Sequence, residues 1–588
     1  MTEDAETIGV VDTSGTLNVN VGVLGHVDSG KTSLVRALST LLSTNALDKN
    51  PQSKARGITL DLGFSAFTVD EVPPGITGYD KVQYTLVDCP GHASLIRTII
   101  GGAQIIDRML LVVDITKGIQ TQTAECLVIG EILTDELVVV LNKIDLLPEK
   151  TREKKIEQGK ANIRKALSKT RFKDALIIAC SAIVGGDGKA GVGKASAEKL
   201  GAGAKGIKIA EKLAAAKISG KEEGKVKTMK LEGLVKLIKD TTKLPQRNQR
   251  NGPLFFAVDH CFPIKGQGTV LTGTVLSGTV SVGDNVELPE FGTEKKIKTI
   301  QMFRKPVNSA SQGDRAAMCV TNLNAKLVER GIVATPGSVP VVSSMVALVR
   351  KVRYFQKTCA SGTKLHITVG HSTQMATVTF FGSESPHLKS VAAKAVGKSI
   401  PQVVDFDPSA EYKYDEVLRG GGKAVGGPFL HWCFVQFDKP VLCPRGSMLI
   451  GSRLDADVKK ASESSMCRIA LYGKPVTDSE SESNLELSAL KIFKTKQREG
   501  VVDRVVNDRE IICKGLFKKE TDMSLFIGKR ISTDTDGELG VILGSFGKAG
   551  KFKVDFREGT KATKGDKIYL RFIQYMFSDA SKGKLVQL

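Results

Sequence analysis

The sequence lacks the patterns of a membrane-spanning helix, a disulfide framework and a zinc finger. Its ten cysteines are scattered over 588 residues, form no C-x-x-C pair and do not stand at zinc-finger spacing from the seven histidines. Reduced thiols in a cytosolic protein are therefore expected. No apolar run approaches the ~20 residues that a membrane-spanning helix needs, so we expect no membrane partner. Residues 1–16 contain no lysine or arginine, so we expect neither a signal nor a transit peptide.

Positive charge, by contrast, is abundant. The 84 Lys and Arg residues outnumber the 63 Asp and Glu residues, and the formal net charge is +21. Such an excess predicts a polyanionic partner, although charge alone does not separate RNA, DNA and an acidic membrane. The length predicts roughly three to five domains at ~100–200 residues each.

The stretch from Gly25 to Thr32 reads GHVDSGKT and predicts a P-loop. An alternating strand at 17–24 enters it and a helix at 32–38 leaves it, which is the context that the motif requires. A chance glycine turn is the alternative, and the flanking strand and helix disfavour it. In a P-loop, backbone N–H groups and the positive end of the helix bind phosphate oxygens. The predicted phosphate-binding residues in this stretch are Asp28, Ser29, Gly30, Lys31 and Thr32.

Two later segments would complete a site for GTP or GDP with Mg²⁺. The sequence Arg-Gly-Ile-Thr at 56–59 resembles the first switch of translational GTPases, in which the threonine reaches the metal ion. The strand 84–87 leads into Asp88, which can hold Mg²⁺ through water, and Gly91 can offer its N–H to the γ-phosphate. The predicted metal ligands are Thr32, Thr59 and Asp88.

His92 follows at the position where related GTPases have a glutamine that orients the attacking water. We predict that catalytic role for His92 in a GTPase that converts GTP and water to GDP and phosphate. A solvent-facing surface histidine is the alternative.

The run 137–141 is apolar throughout and ends in Asn-Lys-Ile-Asp at 142–145. A carboxylate such as Asp145 can accept hydrogen bonds from the N1–H and the exocyclic amine of guanine, which adenine does not offer. A last strand at 176–182 would place the Ala182 N–H near the guanine carbonyl. The predicted guanine-binding residues are Asn142, Lys143, Asp145, Ser181 and Ala182. A P-loop kinase or ATPase lacks this set, so the motifs predict GTP.

Composition divides the chain into five segments. Residues 185–230 hold ten glycines and eleven lysines against five acidic residues, which predicts a mobile cationic insertion that either contacts RNA or is solvated. Short alternating strands with glycine turns follow from Gly252 and predict small antiparallel barrels. The predicted segments are a flexible tail at 1–17, a GTP-binding domain at 18–247, β-barrel domains at 248–344 and 345–485, and a basic β-rich domain at 486–588. The predicted fold class is thus a multidomain chain with a P-loop α/β GTPase domain followed by three small antiparallel β-barrel-type domains.

A GTPase domain followed by a barrel that opens with Gly-Gln-Gly-Thr-Val-Leu-Thr-Gly at 266–273 looks like the translation elongation factors of the Tu class. Several segments resemble, more closely, the family of eukaryotic selenocysteine-specific elongation factors. These segments are 25–32, 55–64, 258–262, 312–315 and 516–520. The resemblance covers nearly the whole chain, is interrupted by 185–230 and is looser in 385–425.

The resemblance implies a factor that binds selenocysteinyl-tRNA with GTP, delivers it to the ribosome at recoded UGA codons and hydrolyses GTP on decoding. It also implies an aminoacyl pocket lined by Asp259, His260 and Arg315. A selenol is ionised near neutral pH, whereas a cysteine thiol with a pKa of about 8.5 is mostly not, so a cationic pocket would prefer the selenolate. Neighbouring residues on a regular strand face opposite ways, so Asp259 and His260 share a pocket only if a bulge or strand end intervenes. A hydrogen-bonded structural pair is the alternative.

Residues 491–588 hold 21 Lys and Arg against 13 Asp and Glu. Basic residues that alternate with aromatic ones suit contact with RNA phosphates and bases, and equally a small barrel with a solvated basic face. The resemblance implies that this domain works with the tRNA, the selenocysteine-insertion RNA element and its binding protein. We expect a monomer in the cytoplasm, with the nucleus as a further location.

Two other readings remain open at this point. One is a GTPase that carries initiator or ordinary aminoacyl-tRNA, and the other is an RNA-binding scaffold that GTP switches.

Overall fold

The computed structural model describes most of the chain. The described residues are 15–39, 41–42, 63–89, 105–168, 170–182, 231–247, 250–264, 266–303, 305–325, 328, 330–370, 372–394, 405–420, 429–454, 467–476, 486–518, 520–533, 539–547, 550–577 and 587. The predicted site residues Thr59, Gly91 and His92, and the predicted insertion at 185–230, lie outside them.

The first domain is a seven-stranded sheet flanked by helices. Its elements are β1 (Thr16–Gly25), α1 (Lys31–Leu38), β2 (Leu41–Leu42), β3 (Gly63–Val69), β4 (Lys81–Asp88), β5 (Arg108–Asp114), α2 (Thr121–Leu133), β6 (Leu137–Asn142), α3 (Arg152–Leu167), β7 (Leu176–Ala179) and α4 (Leu231–Asp240). The strand order is β2-β3-β4-β1-β5-β6-β7. The strands from β4 to β7 are parallel, whereas β3 is antiparallel to β4 and β2 to β3. All residues of β5 and β6 are buried, as expected for strands covered on both faces.

The helix α4, which follows residues 183–230 in the sequence, closes this domain. It buries Leu234 and Ile238, which are four residues apart and so share one face. The guanidinium of Arg108, at the start of β5, donates to the Ile238 carbonyl at 2.6 Å and to Thr242 Oγ1 at 2.9 Å. These hydrogen bonds attach α4 and the residues after it to the central strand β5.

The second domain is a closed barrel. Its strands are β8 (Phe255–Ile264), β9 (Gly268–Ser277), β10 (Thr279–Ser281), β11 (Asn285–Leu288), β12 (Thr293–Met302), β13 (Lys305–Val307), β14 (Ser309–Ser311), β15 (Arg315–Val320) and β16 (Gly331–Ala334). The order β11-β16-β8-β9-β15-β12 closes because β12 pairs with β11. The strands β10 and β14 form a separate pair.

Two further barrels share one continuous sheet. The strands are β17 (Val341–Lys351), β18 (Thr363–Val369), β19 (Ser372–Phe381), β20 (Glu411–Asp415), β21 (His431–Leu442), β22 (Leu449–Ser452), β23 (Ile469–Pro475), β24 (Lys491–Val505), β25 (Glu510–Lys514), β26 (Arg530–Thr533), β27 (Leu539–Phe546), β28 (Lys551–Asp555) and β29 (Lys567–Tyr575), with the helix α5 (Pro386–Lys394). The third barrel closes through β18 and β19, and the fourth through β24 and β29. The parallel pairing of β20 with β24 joins them. The predicted fold class is confirmed.

All ten cysteines are free thiols. Among the described helices, none has the length and apolarity to cross a membrane.

Candidate functional site

The turn between β1 and α1 has a backbone conformation that lets Asn142 pack directly against it. Asp28 and Gly30 adopt positive φ angles of 59° and 89°. A Cβ atom on Gly30 would lie 2.2 Å from Nδ2 of Asn142, so this position tolerates no side chain. The phosphate loop and the loop of the predicted base motif are therefore in direct contact.

The Lys31 side chain is buried inside this turn, and its Nζ donates to the His26 carbonyl at 2.7 Å. Burial lowers the pKa of Lys31, and the nearby Asp88 carboxylate opposes that shift. The lysine thus places a cation at the centre of the loop, as the motif predicts.

Two of the three predicted metal ligands meet in the structure. The Thr32 hydroxyl donates to Asp88 Oδ2 at 2.6 Å, and Asp88 is 1% exposed at the end of β4. A carboxylate and a hydroxyl are the oxygen donors that Mg²⁺ accepts, so the residues fit this ion.

The predicted guanine site joins three loops. Asn142 Nδ2 donates to the Ser29 carbonyl at 2.9 Å, and Asn142 Oδ1 accepts the Ala182 N–H at 3.1 Å. In this structure, the Ala182 N–H that was predicted to meet guanine is thus donated to Asn142. The Ser181 hydroxyl donates to Asp145 Oδ1 at 2.5 Å, which orients the predicted base-reading carboxylate.

Asp114, at the end of β5, contacts the predicted guanine site, although no motif pointed to it. Its Oδ2 lies 2.8 Å from Nζ of Lys143, whose backbone has a positive φ of 66°. Burial raises the pKa of Asp114, but hydrogen bonds from Lys143 and Thr116 outweigh it and the net shift is downward. The ionised carboxylate therefore holds the Lys143 ammonium in place. The sequence signal was an acidic residue ending a buried strand, at the same sheet edge as Asp88 and Asn142.

A second site lies between the GTPase sheet and the second domain. Arg315 forms an ion pair with Asp259, and the two side chains are 6% and 8% exposed. The register of β8 against β9 shifts between Val258 and His260, which is the bulge that the sequence analysis required near Asp259. Burial lowers the pKa of Arg315, and Asp259 opposes that shift.

Phe64 completes this second site, although no motif identified it. The Arg315 Cζ atom lies 3.2 Å from the centroid of the Phe64 ring, which is fully buried on β3. The guanidinium is therefore held between a carboxylate of the barrel and an aromatic face of the GTPase domain. The available signal was its place in the segment 55–64, one of those that carry the family resemblance.

Four known domain families match the chain. Residues 16–261 match the elongation factor Tu GTP binding domain, and residues 268–335 match elongation factor Tu domain 2. Residues 346–473 match the third domain of eukaryotic selenocysteine-specific elongation factors, and residues 488–580 match the eEFSec C-terminal RIFT domain. Together with the P-loop and the base motif, these matches define a GTP-binding translation elongation factor.

Full-length relatives narrow this class. The chain is 45% identical to the selenocysteine-specific elongation factor of Mus musculus, over 92% of this chain and 89% of that protein. It is 30% identical to the factor of the same name from Methanocaldococcus jannaschii, over 95% and 98%. The structure of translation elongation factor SelB from Methanococcus maripaludis with the GTP analogue GppNHp matches with a TM-score of 0.65 and 25% identity, over 95% and 99%. The chain belongs to the family of selenocysteine-specific elongation factors.

Proposed function

We propose that this protein binds selenocysteinyl-tRNA together with GTP, delivers it to the ribosome at recoded UGA codons and hydrolyses the GTP on decoding. The observation that carries this proposal is Arg315, a buried cation paired with Asp259 and covered by Phe64 between the GTPase sheet and the barrel. In this proposal, Asp259, His260 and Arg315 line the aminoacyl pocket, with Phe64 as a wall.

The charge pattern explains how such a pocket would select its cargo. The esterified selenocysteine brings an α-ammonium and, once ionised, a selenolate. The ammonium can pair with Asp259 and the selenolate with Arg315. Both buried charges then keep a counter-charge when the Asp259–Arg315 ion pair separates. A serine ester has a neutral side chain and would leave Arg315 buried without a counter-charge, which costs several kcal/mol.

The nucleotide chemistry would be divided among the residues of the first site. Lys31 and the loop N–H groups bind phosphates, and Asn142, Lys143 and Asp145 hold the guanine. Bound Mg²⁺, held by Thr32, Asp88 and Thr59, would supply charge neutralisation at the phosphates. Gly91 would bind the γ-phosphate, and His92 would orient the attacking water.

Protection of the aminoacyl ester tests the cargo. The protein with a non-hydrolysable GTP analogue should slow the spontaneous hydrolysis of selenocysteinyl-tRNA and leave the same tRNA carrying serine unprotected. Arg315→Ala should abolish this difference without changing affinity for the analogue. Lys296→Ala, an exposed cation on the same barrel, is the matched control and should behave as wild type. Equal protection of both esters by the wild-type protein would contradict the proposed cargo.

His92→Ala tests the catalytic assignment separately. Ribosome-stimulated hydrolysis should slow by about 10²–10⁴-fold, the usual contribution of one positioned side chain, while GTP affinity stays the same. An unchanged rate on the ribosome would remove His92 from the mechanism.

We also propose that the fourth barrel contacts RNA, in concert with the selenocysteine-insertion element and its binding protein. Residues 495–499 of β24 are exposed on both faces of the strand and include Lys496 and Arg498. The Arg498 Cζ atom lies 5.6 Å and 5.7 Å from the ring centroids of Phe526 and Phe572, which are buried, so the exposed surface offers cations that rest on the aromatic core of the barrel. Lys496→Glu with Arg498→Glu should weaken RNA binding most at low salt, and an unchanged salt dependence would refute the contact.

A further inference from the structure

A set of polar groups joins β1, the strand that enters the P-loop, to the turn of the second barrel before Arg315. We call this set the seam network. Its members are Asn18 and Asn20 on β1, Asp107 before β5, Arg247 after α4, and Gly313 and Asp314 in the turn between β14 and β15.

Asn18 makes the central contact of the seam network. Its Nδ2 donates to Asp314 Oδ1 at 2.6 Å, and its Oδ1 accepts from Gln83 Nε2 at 2.8 Å, which determines the orientation of the amide. The other carboxylate oxygen of Asp314 accepts the Ser311 N–H at 2.8 Å. Each of these oxygen atoms therefore has an assigned donor.

A second attachment holds the backbone of the turn. Asn20 Nδ2 donates to the Gly313 carbonyl at 3.0 Å. Gly313 has a φ of 96°, and a Cβ there would lie 2.3 Å from Nε of Arg247. Arg247 in turn donates to both oxygens of Asp107 at 2.5 Å and 2.7 Å. The turn thus has little freedom to slide along β1.

Asn18 of the seam network and Phe64 lie on strands of the same sheet. Phe64 on β3 pairs with Val87 of β4, and Val87 pairs with Gly22 of β1, the strand that carries Asn18. Two points of the GTPase sheet therefore hold two consecutive residues of the barrel, Asp314 through Asn18 and Arg315 through Phe64.

We propose that Asn18 is a positioning residue for amino-acid selectivity, because it fixes Asp314 and thereby the place of Arg315 between Asp259 and Phe64. This inference rests on the proposed function. Asn18 precedes the P-loop and makes no contact with the predicted phosphate or guanine residues in the described hydrogen bonds, so its role is separable from nucleotide binding.

The hydrogen-bond pattern allows an inverted pair. With Asn18→Asp and Asp314→Asn together, the new carboxylate at 18 can accept from Gln83 and from the amide at 314. The amide oxygen at 314 can still accept the Ser311 N–H. Asn18→Asp alone sets two carboxylates against each other, and Asp314→Asn alone leaves one donor without an acceptor.

The test compares protection of selenocysteinyl-tRNA with protection of the same tRNA carrying serine, in the full chain with a GTP analogue. We expect each single variant to lower the ratio of the two protections about tenfold, since small displacements in a site are costly. The double variant should restore the ratio, and analogue affinity should stay constant throughout. Asn285→Asp adds the same charge at an exposed position of the second barrel and should change nothing. If Asn18→Asp fails to fold, Asn18→Ser is the substitute, because the shorter serine side chain does not reach Asp314 and adds no charge.

Hydrogen exchange of the β15 amides gives a readout independent of cargo. Exchange should be faster in the single variants and normal in the double variant. Faster exchange with an unchanged protection ratio would overturn the positioning role and leave a structural one. An unchanged ratio and exchange, or a double variant that does not recover, would also overturn it. Equal protection of both esters by the wild type would instead refute the cargo itself, before any variant is compared.

Discussion

Asp145 carries the base discrimination of the proposed GTP site. Its Oδ1 accepts from Ser181, and its loop is braced by Asn142. Asp145→Asn keeps one oxygen for the guanine N1–H but turns a donor toward the exocyclic amine, so GTP affinity should fall about 10–100-fold, as expected for hydrogen bonds to a charged group worth about 1.5–3 kcal/mol. Competition binding should also show that xanthosine triphosphate, whose base has a carbonyl acceptor in place of the exocyclic amine, binds this variant better than wild type.

Asp174→Asn, an exposed carboxylate of the same domain, is the control for this exchange. Unchanged GTP affinity in Asp145→Asn would contradict the base assignment.

Also at the residue scale, we expect the stability of the fourth barrel to depend on pH through Asp503. Hydrogen bonds from Lys551 and Lys514, at 2.6 Å and 2.9 Å, lower the pKa of Asp503 to about 2. Because the folded pKa lies below the unfolded value, the stability that this carboxylate contributes is present above the unfolded pKa, about 3.9, and is lost as the pH falls toward 2. Carboxyl NMR titration should show the low midpoint, and Lys551→Met should raise it. A midpoint near 4 in the wild type would contradict this prediction.

At the scale of elements, Gly273 permits the bulge that carries Asp259. It pairs with Val258 beside the register shift, and a Cβ there would lie 2.0 Å from the Ala257 carbonyl oxygen. Gly273→Ala should therefore push β8 away, displace Asp259 from Arg315 and destabilise the chain by about 1–3 kcal/mol. Urea unfolding measures the loss.

The control for this prediction is Gly283→Ala, also in the second barrel. A Cβ at Gly283 meets nothing within 4 Å, but its φ of 97° adds backbone strain. Gly283→Ala should thus destabilise without impairing selenocysteinyl-tRNA protection, whereas Gly273→Ala should do both. Intact protection in Gly273→Ala would show that the bulge does not depend on this glycine.

At the scale of the whole molecule, the GTPase domain is bonded to the third barrel through α2. Glu125 on α2 accepts from Arg468 Nε at 3.0 Å and Nη2 at 2.8 Å, and both side chains are largely buried. Arg468→Met leaves a buried carboxylate without its cation and should cost about 3–5 kcal/mol. Urea unfolding should then separate the transition of the third barrel from that of the GTPase domain.

A second substitution separates the effect of the unpaired Glu125 charge from the effect of lost packing. Glu125→Gln added to Arg468→Met removes the stranded charge while keeping an oxygen for the residue 468 N–H, which Glu125 Oε1 accepts at 3.2 Å. The double variant should recover part of the lost stability. A double variant as unstable as Arg468→Met would show that packing, rather than the charge, holds the interface.

What the sequence could determine was local. The turn around Gly30 and the strand-end positions of Asp88 and Asn142 depend on backbone geometry within a few positions, so motif spacing predicted where in its own element each residue lies. The alternation of short strands likewise predicted barrels, because period-two patterning is a property of each strand by itself. The need for a bulge near Asp259 followed from the same rule.

What only the tertiary structure decided lies between domains. Asn18 and Asp314 are 296 positions apart, and Phe64 of the GTPase sheet meets Arg315 of the second barrel. The pairing of β20 with β24, which joins the third and fourth barrels, has no signal in either strand. Such contacts depend on how folded domains pack against each other, and a local pattern of residues contains no information about the surface that will cover it.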